Sequence, residues 1–193
     1  MKTLTATLAC VWALSGAALA QAPQAPVSYT GALVSQSDAE VTLQTKTGPV
    51  TVPMTLGWTV STPRKTAAAA IMPGDFIASA NKDLGPTSGR STEVRILEPG
   101  YRPENSTHPM GPPAMSITHG TVAKSEPGPD GQQLTVTFPA GSRELLVPPE
   151  APVTAYDLHP RSTLTPGVTV NAVTRKGPDG VARASRLVIV PAT

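Results

Sequence analysis

Gln133-Leu134-Thr135-Val136-Thr137-Phe138 alternates strictly. Leu134, Val136 and Phe138 fall on one face, and Thr135 and Thr137 on the other. A period of two is the signature of a half-buried β-strand. The strand is framed by a second strand-like run, Gly120–Lys124, and by the turn Pro127-Gly128-Pro129-Asp130-Gly131. Arg143–Val147 reads as a third strand and Val153–Tyr156 as a short fourth. Pro166-Gly167 turns into Val168–Arg175, and Gly177-Pro178-Asp179-Gly180 is a hairpin-type turn leading to Val181–Val190.

The same order of pieces occurs earlier in the chain. Gly31-Ala32-Leu33-Val34 matches Gly120-Thr121-Val122-Ala123, and Val41–Thr45 matches Leu134–Phe138. Val52-Pro53 matches Val147-Pro148, Pro73-Gly74 matches Pro166-Gly167, and Val94–Leu97 matches Leu187–Val190. The offsets are 89, about 93, 95, 93 and 93 residues, so five anchors recur in one order with small loop changes. One helical candidate interrupts the strands, the Ala-rich Lys65–Met72. About five strands per unit, with a short helix or turn after the third, fit a small closed barrel of the oligonucleotide/oligosaccharide-binding (OB) type. The expected fold is all-β: two tandem small OB-like β-barrels joined by a Pro-rich connector. A unit of about 70 residues buries only about 60% of its chain surface, so the two are expected to pack together.

The expected division is a signal peptide at 1–20, a Pro-rich tether at 21–28, a first barrel at 29–98, a connector at 99–116 and a second barrel at 117–191. Lys2, the apolar Leu4–Leu14 and the Ala18-Leu19-Ala20 motif give the export signal, with cleavage after Ala20. Its apolar run is too short to span a bilayer, and no membrane span is expected after cleavage. Cys10 has Thr7 where a lipobox needs a Leu-like residue. Cleavage removes the only cysteine, which excludes disulfide and thiol chemistry and suits a bacterial periplasmic or secreted protein.

The remaining chain holds 14 basic and 13 acidic residues. With six aromatics and no basic run longer than two, it lacks the charged stacking groove that single-stranded nucleic acid requires. The whole chain has 22 prolines and 16 glycines among 193 residues, which favours a loop-rich β protein and excludes coiled coils and collagen.

The repeated Gly-φ-Val start, the Val-Pro pair, the Pro-Gly turn and the Val-Arg-Ile end resemble the bacterial domain-of-unknown-function 5666 family, small exported OB-like barrels. Gly100-Tyr101-Arg102-Pro103, Met115–Val122, Val147–Val153 and Ala184–Leu187 resemble tandem exported proteobacterial proteins of this type. The resemblance implies fold and export, and carries no catalytic residue or ligand.

No nucleophile elbow, zinc-protease motif, cysteine pair or phosphate loop is present, and Asp75, Asp130 and Asp179 sit in turns. The sequence is therefore read as a non-enzymatic binding or interaction module. Its partner would be a periplasmic protein, a cell-wall component or a small ligand. Two alternatives have residues behind them. His108, Met110, Met115 and His119 combine imidazole and thioether at a spacing that can wrap a soft ion such as Cu(I) or Ag(I). Trp58, Tyr101 and Tyr156 offer stacking faces for an oligosaccharide, and serve equally as core or seam.

Overall fold

The computed structural model describes residues 26–111 and 113–191. The expected signal peptide and residues 21–25 of the tether lie outside them. The described chain is almost entirely strand. The strands are β1 (Val27–Gln36), β2 (Glu40–Thr45), β3 (Gly48–Thr66), β4 (Phe76–Gly85), β5 (Ser88–Ile96), β6 (Thr107–Pro109), β7 (Met115–Gly128), β8 (Gly131–Phe138), β9 (Gly141–Val147), β10 (Val153–His159), β11 (Thr169–Lys176) and β12 (Ala182–Ile189). Two single 3-10 turns, Ala68–Ala70 and Arg161–Thr163, are the helical elements among the described residues.

The all-β barrel class holds, but neither barrel is a contiguous stretch of chain. One closes in the order β1-β2-β3-β12-β11 and back to β1. The other closes in the order β7-β8-β9-β5-β4 and back to β7. Each half of the sequence supplies its first three strands to one barrel and its last two to the other. The expected boundaries at 29–98 and 117–191 are corrected accordingly.

The physical cause is the length of β3. Nineteen residues at about 3.3 Å each reach roughly 60 Å, about three times a usual strand. Its second part leaves the first barrel and delivers the following strands to the second; β10 makes the return journey. The two crossing segments pair antiparallel, Val60 opposite His159 through Thr66 opposite Val153. At the centre Pro63 faces Tyr156, 93 positions further on, the spacing of the sequence repeat. Each position in the crossing thus lies across from the counterpart of its own neighbourhood, around a local pseudo-two-fold axis.

The strand-poor gap expected to be helical, Lys65–Met72, instead ends β3 and makes one 3-10 turn. Four alanines are too few to repay helix nucleation, and Pro63 and Pro73 bracket them. Ile71 closes the turn and is fully buried; its counterpart Leu164 closes Arg161–Thr163 in the same way. Each Pro-Gly turn is then clasped by the other half of the chain. Gly167 donates to Leu33 O, and Leu33 donates to Val168 O, both at 2.8 Å. Gly74 donates to Val122 O, and Val122 to Asp75 O, also at 2.8 Å. Gly74 and Gly167 have φ of 96° and 92°, which L side chains disfavour.

The cores are mixed in the same sense. The first joins Leu33, Leu43, Trp58 and Val60 to Leu164, Val170 and Leu187. The second joins Ile71, Ile77 and Val94 to Val122, Leu134 and Leu145. A small third cluster of Phe76, Ala78, Leu97, Tyr101 and Tyr156 lies where the connector meets the barrels. There Arg186 stacks between Tyr101 and Tyr156, at 4.0 and 4.7 Å from the ring centres, and pairs at 2.6 Å with fully buried Glu98.

Two boundaries shift. Val27 and Ser28, expected in the tether, belong to β1 and pair with Thr174 and Val173. The connector, expected to lack regular structure, contains β6, and its last two residues, Met115 and Ser116, begin β7.

Candidate functional site

The described residues enclose a cleft of about 1070 Å³ that is open to solvent. One wall is the outer face of β4, β5 and β7. The other is the β11–β12 hairpin, and the connector forms its floor and rim.

Alternation along β7 sets what faces the cleft. Ser116 and Thr118 point into the barrel, whereas Ile117 and His119 line the cleft. The inward pair belongs to a buried polar cluster with Ser79, Asn81, Ser91 and Arg143. Three of these have small or less polar counterparts in the other barrel, Ala172, Thr174 and Ala184. Arg143 binds Asp83 and donates to Ser116 Oγ at 2.9 Å and Thr107 Oγ1 at 3.1 Å. It thereby fastens β6 from inside the barrel. The Ser116 hydroxyl and the Arg143 guanidinium together hold the Asp83 carboxyl below its ordinary range.

With β6 so fixed, His108 reaches the cleft beside His119. The two rings stack with centres 6.3 Å apart. Glu104 lies between them, its Oε1 3.7 Å from His108 Nδ1 and its Oε2 3.6 Å from His119 Nδ1. Both separations are too long for hydrogen bonds. The His119 side chain is only 9% exposed, and its Nδ1 has no hydrogen-bond partner among the described residues. Burial pushes its pKa down, and Glu104 opposes that shift.

Of the four residues expected to form a soft-metal site, His108, Met110 and His119 line this cleft and Met115 does not. The Met110 amide donates to Met115 O at 2.9 Å, so the two backbones meet while the thioether of Met115 is not part of the lining. Among the described residues, no group of three or more His, Cys, Asp or Glu side chains is arranged to hold a metal ion. Glu104, Arg175 and Lys176 are cleft residues that sequence reasoning did not assign to a site. The signal for Glu104 was present as a carboxylate four residues before His108, in a segment read only for its His and Met.

The expected stacking platform is not assembled. Trp58 is a core residue, 3% exposed, whose indole N–H donates to Ser37 O and whose ring lies under Arg161. Tyr101 and Tyr156 give ring faces to Arg186.

The opposite wall carries Arg175 and Lys176 at the end of β11, next to the turn Gly177–Gly180. Past them a shallower recess of about 440 Å³ continues to Thr55 and Ser185. Two other cations at the cleft are already engaged: Arg95 pairs with Glu93 at 2.6 Å, and Arg186 with Glu98. No described helix is long and apolar enough to cross a membrane. Comparison with protein-family models, curated proteins and solved structures finds no match for this chain.

Proposed function

We propose that this protein is an exported, non-enzymatic binding module of the kind its resemblance to the domain-of-unknown-function 5666 family implies, and that the cleft takes its ligand. The supporting observation is the cleft itself. It is large enough for a small-molecule ligand and lined by both apolar and polar side chains. A pure scaffold would be expected to fill such a seam. Ala80 lies on the cleft wall and is half-buried, so Ala80→Trp should obstruct the site without entering the barrel core. Thermal-shift measurements against saccharides, organic anions and metal ions should find a class that raises the melting temperature of the parent but not of Ala80→Trp. Equal shifts in both proteins, or none in either, would contradict the reading.

A second reading is soft-metal capture, favoured by the meeting of His108, His119 and Met110 in one cleft. Titration of metal-free protein with Cu(I) under reducing conditions should then show one tight equivalent. His119→Gln combined with Met110→Leu should abolish it, and Met115→Leu alone should not. Binding no tighter than micromolar would remove this reading.

A further inference from the structure

The charge left over in the cleft identifies the class of ligand. Arg175 and Lys176 make no ion pair with a carboxylate among the described residues, whereas Arg95 and Arg186 each do. Of the two carboxylates on the lining, Glu93 is paired with Arg95, and Glu104 stands 3.6–3.7 Å from the two imidazoles, which leaves two unpaired cations against one carboxylate. The surplus is therefore positive and sits on the β11 wall. Across from it stands His119, close enough to Arg175 that the guanidinium disfavours the imidazolium. Ala78, Ala80, Met110 and Ile117 add an apolar part to the lining.

Resting on the reading of the cleft as a ligand site, we propose that it binds an amphiphilic organic anion. The anionic group, a carboxylate or a phosphate monoester, is held by Arg175 and Lys176. The apolar part runs along Ala80 and Ile117. Arg presents a planar fork suited to either oxyanion, with Lys as an adjacent point charge.

Calorimetry with the full chain tests this with four probes: hexanoate, hexyl phosphate, inorganic phosphate and hexyl glucoside. Hexanoate or hexyl phosphate should bind, and whichever is tighter tells carboxylate from phosphate. Inorganic phosphate should bind at least about tenfold more weakly, having no apolar part. Arg175→Gln with Lys176→Gln should weaken the bound anion by about tenfold or more, the scale of a lost charge-assisted hydrogen bond. Binding of hexyl glucoside alone, blocked by Ala80→Trp, would overturn the anion proposal and leave the cleft reading standing. Binding of no probe, or anion binding unaffected by the Arg175 and Lys176 substitutions, would overturn the proposal outright.

Discussion

Replacing Arg186 with alanine should lower the unfolding free energy by about 3–5 kcal/mol, the cost of stranding one member of a buried ion pair. Glu98 is fully buried, and its Oε2 accepts from Arg186 Nη1 at 2.6 Å while Oε1 has no partner among the described residues. Removing the guanidinium leaves that carboxylate without any compensating charge. It also empties the space between Tyr101 and Tyr156, which Arg186 fills with its planar face. Urea denaturation measures the loss. The double variant Arg186→Met with Glu98→Gln should recover most of it, because an apolar stem can occupy the same slot and no charge is left behind. A loss below about 1 kcal/mol for Arg186→Ala would show that water reaches Glu98. The pair matters to the site because it joins β12 of one barrel to the segment that leads from β5 of the other into the connector.

Gly120→Val should be nearly as damaging. A Cβ at Gly120 would lie 2.6 Å from Thr137 O and 2.7 Å from Val136 Cγ1, and at Gly31 a Cβ would lie 2.5 Å from Gln44 O. In both barrels the first strand bends closely over the second, and a backbone oxygen cannot retreat without breaking the ladder. Overpacking of this kind costs about 1–3 kcal/mol, and valine at a backbone contact belongs at the upper end. Val34→Thr, on the exposed side of β1, should change stability by less than about 0.5 kcal/mol. Comparable melting temperatures for Gly120→Val and Val34→Thr would show that β7 and β8 are less closely apposed than described.

The strand content and the repeat spacing were legible because both are local. Leu134 and Val136 are buried, Thr135 is half-buried and Thr137 exposed, as alternation requires, while Phe138, at the strand's end on the buried face, is only half-buried. The matched glycines and Pro-Gly turns likewise announce themselves, since backbone geometry restricts those positions. The exchange between halves was not legible. It depends on whether the chain turns back after Trp58 or continues straight to Thr66, and neither alternation nor turn chemistry separates the two. Thr62-Pro63-Arg64-Lys65 has ordinary strand-edge composition, and its partner is 93 residues distant. At the cleft, the imidazoles were recognisable by type, but Arg175 and Lys176 come from the other end of the chain and are brought there by that exchange. The likeness of residue types in one segment, His and Met in the connector, therefore drew attention away from the opposing wall.

The account stands on each barrel being built from both halves of the chain. Inserting a specific protease site after the exposed Gly111 and cutting the folded protein there tests this most directly. The two fragments should elute together at the size of the uncut chain, and unfold in a single cooperative transition, because neither holds a complete barrel. Fragments that separate without denaturant and are each stably folded would contradict the exchanged architecture, and with it the cleft assembled from the two halves.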